Sequence, residues 1–120
     1  MDYRIIFYKN SSNLKKPVLE YINSLDEKNR AKILKYIYHL KFNDGYLVEP
    51  YSRHIKDKIR ELRVSFSNNH HRIFYFTYFG RRIVLLNAFL KKTNKTPVKE
   101  IDKALDNYQD FINNLNLYEQ

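Results

Sequence analysis

The spacing of apolar residues in this chain changes once, and that change limits the folds open to it. Through residues 14–42 apolar positions recur three and four apart: Val18, Leu19 and Ile22, then Ala31, Ile33, Leu34, Ile37, Tyr38 and Leu40. From Ile59 to Leu90 the spacing falls to two, in runs covering 59–66, 71–79 and 82–90. The first period belongs to helices and the second to strands. Helices are therefore predicted over 14–24 and 25–42 as an antiparallel hairpin. Pro17 suits the first turn of the first helix, and Ser24-Leu-Asp-Glu27 reads as a capping box for the second. Asn43-Asp-Gly45 is the stop. Tyr3–Tyr8 predicts a first strand, Ser67–Asn69 and Gly80–Arg81 predict turns, and Ile83–Leu86 a central strand buried on both faces. Thr96 and Pro97 supply an N-cap and first-turn proline for an amphipathic C-terminal helix through Ile101, Leu105, Tyr108 and Phe111. The order β-α-α-β-β-β-α predicts an α+β fold: an antiparallel β-meander with an N-terminal helical hairpin and a C-terminal helix, the helices on one face.

Charge is as uneven as hydropathy. Between Leu62 and Lys99 there is no Asp or Glu, but eight Lys/Arg and two His. Phe66, Phe74, Tyr75, Phe76, Tyr78, Phe79 and Phe89 lie in the same stretch. Cations interleaved with flat rings suit single-stranded nucleic acid, whose phosphates pair with the former and whose bases stack on the latter. A plain core-and-surface reading accounts for the aromatics but poorly for the missing acids. The helix over 25–42 reads as mixed in charge, and the acids Glu100, Asp102, Asp106 and Asp110 of the last helix read as solvated surface, so neither competes with the sheet for a polyanion. The net charge of +9 agrees with such a partner. At 120 residues the chain is expected to form one domain, 1–120. The absence of Cys rules out disulfides and thiolate metal sites. With no membrane-length apolar run and no signal-peptide pattern, the expected compartment is the cytoplasm.

Most enzyme signatures are missing: there is no Gly-rich phosphate loop, HExxH or GxSxG. No metal site is expected, because the adjacent His70 and His71 would point to opposite faces of a strand, near a turn that leaves them partly exposed. No helix-turn-helix is convincing either. The better positions are cationic: Arg63 and Arg72, on strands flanking the 66–71 hairpin, and Lys91-Lys92 at the end of the next strand. RNA cleavage by attack of a 2′-hydroxyl on its own phosphodiester needs in-line positioning, stabilisation of a dianionic phosphorane and proton transfer. Arg supplies the second through its planar fork, and Lys can stabilise or protonate the departing 5′-oxygen. His54 and Glu61 are the proton-transfer candidates, and Tyr75 could stack on a base. By parity Arg63 faces away from the helices, while the facing of Arg72 stays open.

Ile59-Arg-Glu-Leu-Arg-Val, His71-Arg-Ile-Phe-Tyr-Phe and the run Phe89-Leu-Lys-Lys-Thr-Asn-Lys-Thr-Pro97 together resemble the HigB branch of the RelE/ParE toxin superfamily. The resemblance implies a RelE-like fold and a toxin of a type II toxin–antitoxin system, a ribosome-dependent, metal-independent mRNA endoribonuclease. It implies no cofactor, a HigA-like antitoxin as partner, and operator DNA reached only through that antitoxin. Under it Arg72 is the catalytic arginine, Lys92 the basic residue ending the following strand with Lys91 beside it, and Arg63 a phosphate contact. Arg72 and Lys92 are both expected at exposed positions. Ile59 and Glu61 stand where the RelE branch carries lysines, so Lys56 and Lys58 replace those, and Arg60, Tyr75 and Lys95 complete the expected RNA-contact set. A ParE-like DNA gyrase inhibitor and a non-catalytic RNA-binding module are the alternatives.

Overall fold

The structure is a computed structural model describing residues 2–118. Its elements run β1 (Arg4–Phe7), α1 (Pro17–Asn23), α2 (Glu27–Phe42), β2 (Ser52–Lys56), β3 (Ile59–Phe66), β4 (Asn69–Tyr78), β5 (Arg82–Leu90) and α3 (Val98–Asn113), followed by a 3-10 turn at Leu115–Tyr118. The five strands form one sheet in the order β1-β5-β4-β3-β2. Strands β2 to β5 pair antiparallel with their neighbours in sequence, and β1 runs parallel to β5 at the edge. The tight turn joining β3 to β4 holds Ser67 and Asn68 at φ of 50° and 66°. That turn sets the register in which Arg63 lies directly opposite Arg72.

Alternation along the strands builds two cores. Leu62, Val64, Ile73, Tyr75, Ile83 and Leu85 pack with Val18 and Ile22 of α1 and Ile33, Ile37 and Leu40 of α2. Ile59, Phe74, Phe76, Val84 and Leu86 pack with Ala104 and Phe111 of α3. The helices therefore cover both faces of the sheet, not one. The reason lies in β5, where four consecutive apolar residues, Ile83 to Leu86, are fully buried and need a cover on each side.

Several local expectations are corrected. Asp26, not Ser24, caps α2, accepting from the Asn29 amide at 2.8 Å; the Ser24 hydroxyl instead closes α1 by donating to the Tyr21 carbonyl. Pro97 is the N-cap of α3 and Thr96 makes no cap hydrogen bond, so that helix starts one residue later than the proline signal suggests. The packed stripe of α2 is Asn29, Ile33, Ile37 and Leu40, leaving Leu34, Tyr38 and Phe42 exposed, with the last two rings stacked at 4.7 Å. The charge of that helix is segregated along its length: both acids, Asp26 and Glu27, sit at its start, and residues 28–43 carry cations only. On α3 only Asp102 and Asp106 are solvated: Glu100 is buried, and Asp110 accepts from Tyr8 and Ser11. Strand β2 has one apolar residue, Ile55, and no alternation to announce it; pairing with β3 creates it. Among the described residues no helix is long and apolar enough to cross a membrane.

Candidate active site

Cross-strand neighbours share a face, so the register places the site. Arg63 faces Arg72 across β3 and β4, Arg53 faces Glu61 across β2 and β3, and all four lie on the face that α3 packs against. Arg63 thus points away from α1 and α2, as parity indicates, but towards the side of the third helix. One further ladder bond, from the Lys91 amide to the His70 carbonyl at 2.8 Å, carries β5 past Leu90 and holds Lys91 beside the same cluster. The connection from β5 to α3 then crosses the sheet, with the Thr96 hydroxyl 3.4 Å from Glu61 Oε2.

Arg63, Arg72, Lys91 and Lys92 line one cavity of about 330 Å³, together with His70, Thr93 and Asn94. Its floor is a buried ion cluster. The Glu61 carboxylate, 1% exposed, lies 3.7 Å from Arg63 Nε and 3.9 Å from Arg72 Nε. These are ion-pair distances, too long for hydrogen bonds, and neither Nε has a hydrogen-bond partner among the described residues. Arg72 is only 5% exposed, so the exposed position expected of it is corrected; Lys92 is exposed. Burial lowers the Arg72 guanidinium and its neighbour Arg63 adds to this, with Glu61 opposing, yet an arginine starts so high that it stays charged. Burial also lowers the Lys91 ammonium, and Arg72, Arg63 and Arg53 push the same way against Glu61. These effects make the Lys91 ammonium readier to release its proton than an ordinary lysine.

The remaining expected residues lie elsewhere. His54 pairs across from Arg60 on the opposite face, where its Nε2 donates to the Asp57 carbonyl at 2.7 Å. Lys56 and Lys58 are exposed around the β2–β3 turn, at the far end of the ladder from Arg63. Arg60 lies over the Tyr46 ring and bonds Ser52 and Tyr75 on the α2 side. Tyr75 is fully buried, its hydroxyl tied to Ser52 and the Gly45 carbonyl, and has no face free for a base. Lys95 is exposed in the connection before α3. Of the histidine pair, His70 is exposed but His71 is buried: its Nε2 donates to Asn29 Oδ1 at 2.8 Å and its Nδ1 accepts from the Tyr21 hydroxyl at 2.7 Å. That network pins α1 and α2 to the strand bearing Arg72. Among the described residues no three of His, Cys, Asp and Glu gather as a metal site.

Sequence reading missed Arg53 and Tyr51. Arg53 would have been found by pairing 52–56 antiparallel to 59–66, which sets it opposite Glu61. Tyr51 has no signal of its own; its carbonyl accepts from the Arg63 amide at 2.9 Å, a contact that only the fold reveals.

The arrangement suits a phosphodiester. Two curated relatives, from two strains of Mycobacterium tuberculosis and each named "Probable endoribonuclease HigB1", are 44% identical to this chain over 52 residues. The match covers 43% of this chain and 41% of theirs. The profile of the family described as "Phage derived protein Gp49-like (DUF891)" matches residues 20–109. That span takes in every strand bearing the cation cluster, and the chain belongs to this Gp49-like family, a toxin family of the RelE/HigB type.

Proposed function

We propose that this protein is a toxin, a cytoplasmic mRNA endoribonuclease that acts on the ribosome without a metal ion, and that a HigA-like antitoxin neutralises it and carries it to operator DNA. The observation that bears most weight is the Arg63–Arg72 pair. Like charges directly opposite on neighbouring strands repel, and one buried carboxylate at ion-pair distance offsets only part of that. A phosphate in the adjoining cavity would accept from both guanidiniums and supply the negative charge that the pair lacks.

In the proposed reaction the RNA 2′-oxygen attacks the adjacent phosphorus and loses its proton to solvent. The O2′–P bond forms and the P–O5′ bond breaks, giving a 2′,3′-cyclic phosphate and a 5′-hydroxyl. Arg63 and Arg72 hold the equatorial oxygens as negative charge builds, the kind of stabilisation that preorganised donors provide best. Lys91 gives its proton to the departing O5′, and Lys92 fixes the strand at the mouth of the cavity. Glu61 is a positioning residue, because its carboxylate is buried beneath the arginines and engaged with them.

Primer extension on a defined mRNA in a reconstituted translation system, with ribosomes present or omitted, tests this reading. Cuts that appear only with translating ribosomes, and vanish in Arg72→Lys, are the expected result. Growth arrest without cleavage in either condition would move the assignment to a gyrase-directed toxin.

A further inference from the structure

A second cavity, of about 280 Å³, lies on the other side of the arginine pair. Tyr36, Pro50, Tyr51 and Ser65 line it together with the same Arg63 and Arg72 that line the phosphate cavity. Its chemistry is different. Where the first cavity adds lysines to the arginines, this one adds two aromatic rings and a proline. Tyr51 is 46% exposed, and its ring leans on Tyr36 with centroids 6.0 Å apart and planes at 46°. Its backbone is held at both ends, the amide donating to the Val48 carbonyl and the carbonyl accepting from the Arg63 amide, each at 2.9 Å. The residue is thus anchored through its backbone to the strand that carries Arg63, with its ring resting on Tyr36.

A nucleotide presents a flat base and a phosphate one sugar apart, and the two cavities present rings and cations on either side of one arginine pair. We propose that the second cavity is a nucleobase subsite, in which Tyr51 stacks on a base next to the phosphate held by Arg63 and Arg72. This rests on the reading of the first cavity as an RNA phosphate site. It gives the stacking role expected of the buried Tyr75 to Tyr51, and it explains how a shallow cationic cleft could set the position of a strand before attack. Stacking accepts any base, so the subsite fixes register along the RNA more than sequence.

The test is calorimetric titration of the full chain with a 2′-O-methyl trinucleotide, which cannot be cleaved, and with the same backbone carrying abasic sugars. Removal of base stacking is expected to weaken binding about tenfold or more. Tyr51→Ala should bring the two ligands to equal affinity without weakening the abasic one, and Tyr51→Phe should keep the preference. Circular dichroism checks that the variants fold. Wild-type protein that binds both ligands equally would overturn the subsite, whatever the variants do. So would a folded Tyr51→Ala that still prefers bases, or one that loses affinity for both ligands alike. A base preference in wild type that Tyr51→Ala removes, in protein that cuts no mRNA on the ribosome, would keep the subsite and remove the nuclease assignment.

Discussion

At the scale of single residues, Glu61 and His71, both buried near the site, do different work. Glu61 is the counter-ion of a cluster that holds Arg53, Arg63, Arg72 and Lys91. Removing one partner of a buried ion pair leaves uncompensated charge, which typically costs several kcal/mol. Glu61→Gln is therefore expected to lower unfolding free energy by about 3 kcal/mol, read from urea denaturation, and millimolar sulfate should restore part of the loss. An inactive Glu61→Gln as stable as wild type would instead make Glu61 the general base. His71 acts through its neutral form. Burial and the nearby Arg72 hold its pKa below the ordinary value of 6.5, while Tyr21, whose hydroxyl is pushed up to about 12 by burial, remains a donor to Nδ1. On acidification the unfolded chain takes up this proton before the folded one does. The stabilisation from His71 is therefore complete above pH 6.5 and declines as the pH falls below it. Urea midpoints at pH 7.5 and 5.5 should differ more in wild type than in His71→Gln.

At the scale of elements, α3 is held to the sheet by more than its apolar face. Burial opposes charge on Asp110, yet hydrogen bonds from Ser11, Tyr8 and Asn114 outweigh it and keep the carboxyl below its usual range. Those bonds, 2.6 Å from the Tyr8 hydroxyl and 2.6 Å from the Ser11 hydroxyl, fasten the segment after β1 to the last turn of α3. Asp110→Ala should cost about 2 kcal/mol, seen as a lower thermal midpoint with mRNA cleavage kept at permissive temperature. Nothing in the residue string marks Asp110 off from Asp102 and Asp106, because its partners lie about a hundred positions away in Tyr8 and Ser11. Elements with strong periodicity were legible: β3 and β5 have the limits that alternation gives, and α2 ends at the Asn43–Gly45 stop. Elements that owe their state to a partner were not. Strand β2 exists through its ladder to β3, and the two-sided helix cover follows from packing that a linear pattern does not encode.

For the molecule as a whole, a net charge of +9 invites the view that any polyanion will stick anywhere. The fold divides that charge. Arg63, Arg72, Lys91 and Lys92 converge on one cavity although they are spread over thirty positions of sequence, and their convergence was legible because three runs of alternation imply a ladder. Lys56 and Lys58 stood in the expected RNA-contact set as well, since distance along a strand is invisible until the register is known. Lys58 stands five positions from Arg63, roughly 16 Å along an extended strand, and it lines a different depression with Phe79 and Arg81. This separation has a measurable consequence. Each phosphate neutralised on a single strand adds about 0.7 to the slope of log affinity against log salt concentration. For a 2′-O-methyl oligonucleotide, Lys92→Ala is expected to reduce the magnitude of that slope by about 0.7, whereas Lys56→Ala and Lys58→Ala leave it unchanged. Titrations between 50 and 200 mM salt resolve the difference. Equal losses from all three substitutions would mean that RNA reads the charge of the whole sheet end to end, and that the cavity is one contact among many.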